Sequence, residues 1–248
     1  MEGANGFPMA VTRHPGPQIW IQGDPPEVED VLPFGISGIV TNTIILRDMT
    51  RKYGQLRDLL ARYIAMTDKP VVVEVDGDTV DDFLYAAEAA YSMSPQVVIK
   101  VVTKPVGLRA MAVLHRQGVR TMATTVFSLN QAVVVAAAGA TWIAPFVGPT
   151  QQYGTDAALR LVREIVGAFQ GRPNAPAIIG GIVRTPEIAY LTLAAGADGI
   201  VIFPDVYWKM LEHHGTHEWN TTFREAWGAI EAEGNLAGFV RAPAPAGR

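Results

Sequence analysis

Val97-Val98-Ile99-Lys100-Val101-Val102 is an apolar run, rich in β-branched residues, with a single lysine inside it. A run of this kind reads as a strand buried on both faces, as in the middle of a parallel sheet. The lysine is the anomaly. Burying an unpaired ammonium is costly, so burial drives a lysine towards its neutral amine. A neutral, desolvated amine can attack a carbonyl and form a Schiff base. The same run also accommodates a lysine that snorkels to water at a strand end, or one that pairs with a carboxylate. What the rest of the chain places around it decides between these readings.

Working outward, Val71 to Val75 is the preceding strand, and Asp78 to Tyr91 is an amphipathic helix with Val80, Phe83, Leu84 and Ala87 on one face. Further back, Gln18 to Gln22 alternates as a strand that Gly23-Asp24-Pro25-Pro26 stops. Glu27 to Leu32 reads as a short helix, Ile36 to Thr41 as a strand running into Asn42, and Asp48 to Met66 as one long helix with Gly54 as its weak point. After the lysine run come helix Gly107–Arg116, strand Thr121–Thr125, helix Asn130–Ala138 and strand Thr141–Phe146. Helix Thr155–Phe169, strand Ala177–Gly181, helix Pro186–Ala195 and strand Gly199–Phe203 follow, with terminal helices over Asp205–Leu211 and Thr221–Ile230. This makes roughly eight strand–helix units with short connections, the content of a (β/α)8 TIM barrel with an extra C-terminal helix. A doubly wound sheet would want a glycine-rich dinucleotide turn after the first strand, and Gln22-Gly23-Asp24-Pro25 is not one.

The 248 residues are 49% hydrophobic and 18% charged, with a formal net charge of -4. That suits one large α/β domain and gives no basic excess for nucleic acid. No run approaches the length of a membrane span, and the N-terminus lacks the order of a signal peptide. A cysteine count of 0 excludes disulfides and thiolate chemistry and is compatible with a cytoplasmic protein. The expected organisation is a flexible arm over 1–17, a single barrel domain with its terminal helix over 18–232, and a flexible tail over 233–248 that includes Ala242-Pro243-Ala244-Pro245-Ala246. His213, His214 and His217 form the one histidine cluster, read as a surface turn, so no metal site is expected.

Barrel active sites form at the carboxyl ends of the strands. Those ends supply Gln22, Asn42, Glu74, Lys100, Thr124 and Phe146, with Gly180-Gly181-Ile182-Val183-Arg184 at strand seven. Polar side chains thus converge on one lysine. Glu74 can serve as a proton relay beside it or as a plain ion-pair partner. Gly180-Gly181 offers a backbone-amide cradle for a phosphate. Lys104 reads as a loop lysine.

These stretches also carry a resemblance. Gly38-Ile39-Val40-Thr41-Asn42-Thr43-Ile44-Ile45 and Val98-Ile99-Lys100-Val101 resemble the second-strand signature and the Schiff-base strand of the transaldolase family, which includes small fructose-6-phosphate aldolases. Ala123-Thr124-Thr125-Val126-Phe127-Ser128 with Gln131, then Ala144-Pro145-Phe146-Val147-Gly148, resemble its fifth and sixth units. Arg184-Thr185-Pro186 and Ala195-Gly196-Ala197-Asp198 resemble its last two, and the similarity runs from Trp20 to Trp227.

The resemblance implies a cofactor-free class I enzyme. Lys100 would be the nucleophile on a ketose, Glu74 and Thr124 would hold a catalytic water, and Asn42 would contact donor hydroxyls. Phe146 matches the transferases rather than the free-standing aldolases, which tend to have tyrosine. The partners implied are a ketose donor and an aldehyde acceptor, and members of this family are often homo-oligomers that exchange a terminal helix. Trp219, Phe223 and Trp227 are spaced for such a helix.

The chain departs from the pattern at two places. Gln22 stands where the family has an acid, and a carboxamide cannot accept the proton at neutral pH. Asp24 lies two residues on, but Gly23 and Pro25 on either side of it break the strand that would let it share the orientation of Gln22. Pro149 and Ile182 stand where the family has a phosphate-binding arginine and a serine, leaving an apolar wall with Arg184 as the remaining anion partner. The expectation is therefore an unphosphorylated substrate, or one phosphorylated elsewhere. Three readings follow: a transaldolase-like enzyme passing a dihydroxyacetone unit, a Schiff-base aldolase of altered specificity in specialised metabolism, and an idle barrel kept for binding or assembly.

Overall fold

The computed structural model describes residues 16–236 together with 238 and 239. The expected arm before residue 16 and the expected tail from residue 240 lie outside the described residues. Eight parallel strands close on themselves in chain order. They are β1 (Gln18–Ile21), β2 (Gly38–Val40), β3 (Val71–Glu74), β4 (Val97–Val102), β5 (Thr121–Val126), β6 (Trp142–Pro145), β7 (Ala177–Gly180) and β8 (Gly199–Ile202). Around them run α1 (Pro25–Val31), α2 (Thr43–Tyr53), α3 (Leu56–Ala65), α4 (Val80–Tyr91), α5 (Pro105–Arg116) and α6 (Leu129–Ala137). The remaining helices are α7 (Val147–Thr150), α8 (Thr155–Phe169), α9 (Pro186–Ala194), α10 (Pro204–Lys209) and α11 (His214–Ala232). The chain is a (β/α)8 barrel with an added C-terminal helix.

Short polar side chains start the helices close behind the strands. Asn42, Thr79, Ser128 and Thr185 each accept a hydrogen bond from the backbone amide three residues on, at the starts of α2, α4, α6 and α9. At Thr79 the bond is reciprocated by Asp82 as a capping box.

The expected single helix over Asp48–Met66 is two helices. It begins earlier, at Thr43, and breaks at Gly54, whose φ of 93° and ψ of -139° leave the helical region. Glycine adopts that conformation without a Cβ penalty. The expected helix over Thr221–Ile230 is likewise longer, reaching back to His214. The histidine cluster is therefore a helix start rather than a turn. His213 is the N-cap and its Nδ1 accepts from the Gly215 amide at 3.1 Å. Among the described residues no three His, Cys, Asp or Glu side chains are grouped to hold a metal.

The barrel interior alternates with period two. One inward side chain per strand, Trp20, Val40, Val72, Val98, Met122, Ala144, Ile179 and Val201, forms a buried layer. Trp20 is its largest member and meets Trp142 edge-on at 5.5 Å. Room for the Trp20 ring depends on Gly38. A Cβ there would lie 2.5 Å from Trp20 Cζ3 and 2.6 Å from the Pro70 carbonyl oxygen. We expect Gly38→Ala to lower stability by about 1–3 kcal/mol through overpacking, read as a fall in thermal midpoint with the barrel's circular dichroism otherwise preserved.

The chain divides into two compact units, the first ending at Tyr207 and the second beginning at Trp208. In the second, α11 has no buried residue and exposes Trp219, Phe223, Trp227 and Ile230 at helical spacing. No helix among the described residues is long and apolar enough to cross a membrane.

Candidate active site

Two residues beyond seven of the eight members of the buried layer, Val201 excepted, the same inward faces carry Gln22, Asn42, Glu74, Lys100, Thr124, Phe146 and Gly181. All seven line one cavity of about 200 Å³ at the carboxyl end of the barrel, above Val40, Met122, Ala144 and Val201. The period-two rule that buries the layer thus also builds the site above it.

Lys100 is 6% exposed. Its Nζ lies 3.0 Å from Glu74 Oε2 and donates to the Thr41 carbonyl at 3.0 Å. The pairing follows from the register, which sets Glu74 of β3 directly beside Lys100 of β4. Burial pushes the amine below the ordinary lysine value of 10.5, while the charge and hydrogen bond of Glu74 pull it back up; burial wins. The amine is thereby brought closer to the neutral, nucleophilic form near neutral pH.

Glu74 is held from its other side. Thr43, the first residue of α2, donates to Glu74 Oε1 from its hydroxyl at 3.1 Å and from its backbone amide at 3.5 Å. Asn42 divides its amide between two tasks. Its Oδ1 caps α2 by accepting from the Ile45 amide at 2.8 Å, and its Nδ2 donates to Gln22 Oε1 at 3.5 Å. Thr124 is buried, and its hydroxyl has no partner within the protein. It lines the cavity from β5, the strand next to that of Lys100, as an unsatisfied donor and acceptor.

Two β-branched residues on the rim are strained. Thr125 and Ile182 have φ of 58° and 57°, a region that disfavours such side chains. At Thr125 the strain coincides with a register shift between β5 and β6. Its hydroxyl donates to the Thr124 carbonyl at 2.6 Å and accepts from the Thr103 amide at 3.0 Å, which offsets part of the cost. Ile182 lines the cavity, as expected of an apolar wall, but Pro149 lies within α7 and does not.

Arg184 does not join the others. It is exposed, beyond the left-handed Ile182, and is absent from the cavity lining. The glycine cradle is corrected as well. Gly180 belongs to β7, and the Gly181 amide is already spent on the Pro145 carbonyl at 2.8 Å. Asp24 does not stand in for Gln22, because its carboxylate turns away to Lys52 and Tyr53. Burial works against its charge, but those two hydrogen bonds and the charges of Lys52 and Arg62 outweigh burial and hold it below the usual carboxylate range. Lys104, read as a loop lysine, is the N-cap of α5, with Nζ 2.5 Å from Asp76 Oδ1.

Sequence reasoning missed Thr43, Thr125 and the Thr41 carbonyl as parts of the site. For Thr43 a signal existed: a residue just after a strand-end cap starts the next helix at the barrel mouth.

The sequence profile of the Transaldolase/Fructose-6-phosphate aldolase family matches residues 28–237. The chain belongs to this family. It is 32% identical over 206 residues to a probable transaldolase of Symbiobacterium thermophilum, covering 83% of this chain and 94% of that protein. Probable transaldolases of Carboxydothermus hydrogenoformans and Heliobacterium modesticaldum are each 30% identical over 196 residues. These matches cover 79% of this chain and 90% and 89% of those proteins. Family membership makes this an enzyme of the transaldolase or aldolase type acting on small sugar-like substrates.

Proposed function

We infer that the protein is a class I, Schiff-base enzyme in which Lys100 attacks the carbonyl of a hydroxyketone and a dihydroxyacetone-type unit is transferred or cleaved. The observation that carries this reading is the pairing of a buried amine, its proton affinity lowered by burial, with the Glu74 carboxylate 3.0 Å away in a cavity at the barrel mouth. Forming a carbinolamine and losing water from it requires a group that gives and takes protons beside the amine. Glu74 supplies it, and the unpartnered Thr124 hydroxyl can hold the water between them. Asn42 and Gln22 present amides to the donor's hydroxyls, and Phe146 and Ile182 form the apolar side.

The lining favours an unphosphorylated substrate. Lys100 is its one cationic side chain among the described residues, and that nitrogen is committed to the substrate carbonyl in the covalent intermediate, so it is not available to bind a phosphate. Without an arginine or a free amide cradle, a phosphate entering a cavity of about 200 Å³ would be desolvated uncompensated. Gln22 supports the second reading, an aldolase of altered specificity that joins or breaks carbon–carbon bonds of unphosphorylated carbonyl compounds. The exposed stripe of Trp219, Phe223 and Trp227 supports a homo-oligomer.

The test is transfer from fructose and from fructose 6-phosphate to a common aldehyde, followed by product chromatography. The expected result is that the phosphate gives no higher kcat/KM than the free sugar. Tight, saturable transfer from the phosphate would overturn the substrate assignment while leaving the Schiff-base chemistry standing.

A further inference from the structure

A carbon–carbon bond beside a carbinol breaks only if the carbinol proton has somewhere to go. Among the described residues lining the cavity, the titratable side chains are Lys100 and Glu74. Lys100 is consumed in the imine. Gln22 cannot accept a proton, and Asp24 is committed to Lys52 and Tyr53 outside the cavity. Glu74 Oε2 faces Lys100 at 3.0 Å, so that oxygen is engaged at the nitrogen. The other oxygen, Oε1, is reached through one hydroxyl, that of Thr43 at 3.1 Å.

Thr43 itself lines the cavity, is solvent-exposed, and sits at the first turn of an 11-residue helix. Its backbone amide also points at Glu74 Oε1, so the carboxylate and the hydroxyl are held in one orientation. A hydroxyl donates one hydrogen bond and can accept two. With its proton directed at Glu74, the Thr43 oxygen keeps acceptor capacity for a substrate hydroxyl. Thr43 and Glu74 also border a second cleft of about 590 Å³.

We propose that Thr43 is a catalytic proton relay, carrying the carbinol proton of the substrate to Glu74 Oε1. The proposal rests on the Schiff-base reading above. In the cleavage direction the bond between the carbon next to the iminium carbon and the carbinol carbon breaks, and its electron pair moves into the enamine on Lys100. The carbinol O–H proton passes to Thr43 Oγ1 as the proton of Thr43 passes to Glu74. An aldehyde, an enamine, an intact threonine hydroxyl and a protonated Glu74 result, with no redox change. Bond formation runs the same path backwards: protonated Glu74 supplies, through Thr43, the proton that the new alkoxide takes.

The test compares Thr43→Val and Thr43→Ser with the unsubstituted protein. Dihydroxyacetone is the donor and glyceraldehyde the acceptor. Two quantities are read: the borohydride-trapped adduct on Lys100, and the rate of carbon–carbon bond formation. The relay predicts that Thr43→Val traps adduct within about twofold of the unsubstituted protein but forms product about a hundredfold more slowly, and that Thr43→Ser restores product formation. Asn42 still caps α2 in both variants, so the barrel should stay folded by circular dichroism. A normal adduct with unchanged product formation in Thr43→Val overturns the relay alone. Equal losses of adduct and product overturn it too, since Thr43 would then only hold Glu74 in place. An unsubstituted protein that forms product but no adduct overturns the Schiff-base reading and the relay together.

Discussion

Replacing Lys100 with methionine is expected to abolish both borohydride trapping and turnover. Methionine keeps the length and apolar stem of the side chain and removes only the amine. Lys100 sits above Val98 and beside Glu74 and Met122 in the strand register, so an apolar residue of similar volume fits the wall. Losing the nucleophile removes the covalent path altogether. We expect kcat/KM to fall by roughly four to six orders of magnitude, as when the nucleophile is deleted from other covalent catalysts. Lys104 provides the control. It lies at a helix start, ion-paired with Asp76, outside the cavity. Lys104→Met should leave both trapping and turnover within about twofold, as expected of a surface ion pair away from the chemistry. Activity retained in Lys100→Met would show that the amine is structural.

Glu74→Gln has the second-largest expected effect, and it combines two changes that a purely structural role would not produce together. The substitution keeps size and hydrogen bonding but removes the charge. Glu74 raises the proton affinity of Lys100 through charge and hydrogen bond, whereas burial lowers it. With the carboxylate gone, burial acts unopposed. The pH midpoint for adduct formation should therefore move to lower pH in Glu74→Gln, so a larger fraction of the amine is neutral at pH 7. The plateau rate should nevertheless drop by about a hundredfold, because no group remains to pass protons during carbinolamine formation and breakdown. More nucleophile with less turnover separates a relay from an ion-pair partner. A pure ion-pair role would give the shift without the loss. The neutral amine keeps its bond to the Thr41 carbonyl, so the folded state remains satisfied on that side.

Much of the architecture can be read from alternation and punctuation. Largely apolar strands of three to six residues are marked off by turn signals, and inward-facing strand ends follow from their period of two. Gln22, Asn42, Glu74, Lys100, Thr124 and Phe146 meet in one cavity for this reason. The alternation fails where the backbone leaves the strand. Past Gly181 the chain takes a left-handed residue at Ile182, and counting by twos no longer says where a side chain points. Arg184 is thereby exposed instead of lining the site.

Helix boundaries were less legible for a different cause. Residues around Gly54 keep good helix formers on both sides, so the periodicity runs through a break that only the glycine's backbone reveals. At α11, histidine and glycine are weak helix formers and mask a helix that extends back to His214. The hydrogen bonds of Thr43 depend on a rotamer and on the exact start of α2, which composition and spacing do not specify.

The central claim is that Lys100 carries the substrate. Incubating the protein with dihydroxyacetone, reducing with borohydride and mapping the modified peptide by mass spectrometry tests it most directly. The account predicts one adduct per chain, on Lys100 in the peptide containing Val97–Val102, present at neutral pH and absent in Lys100→Met. An adduct confined to Lys104 or other surface lysines, or product formed with no adduct at all, would contradict it.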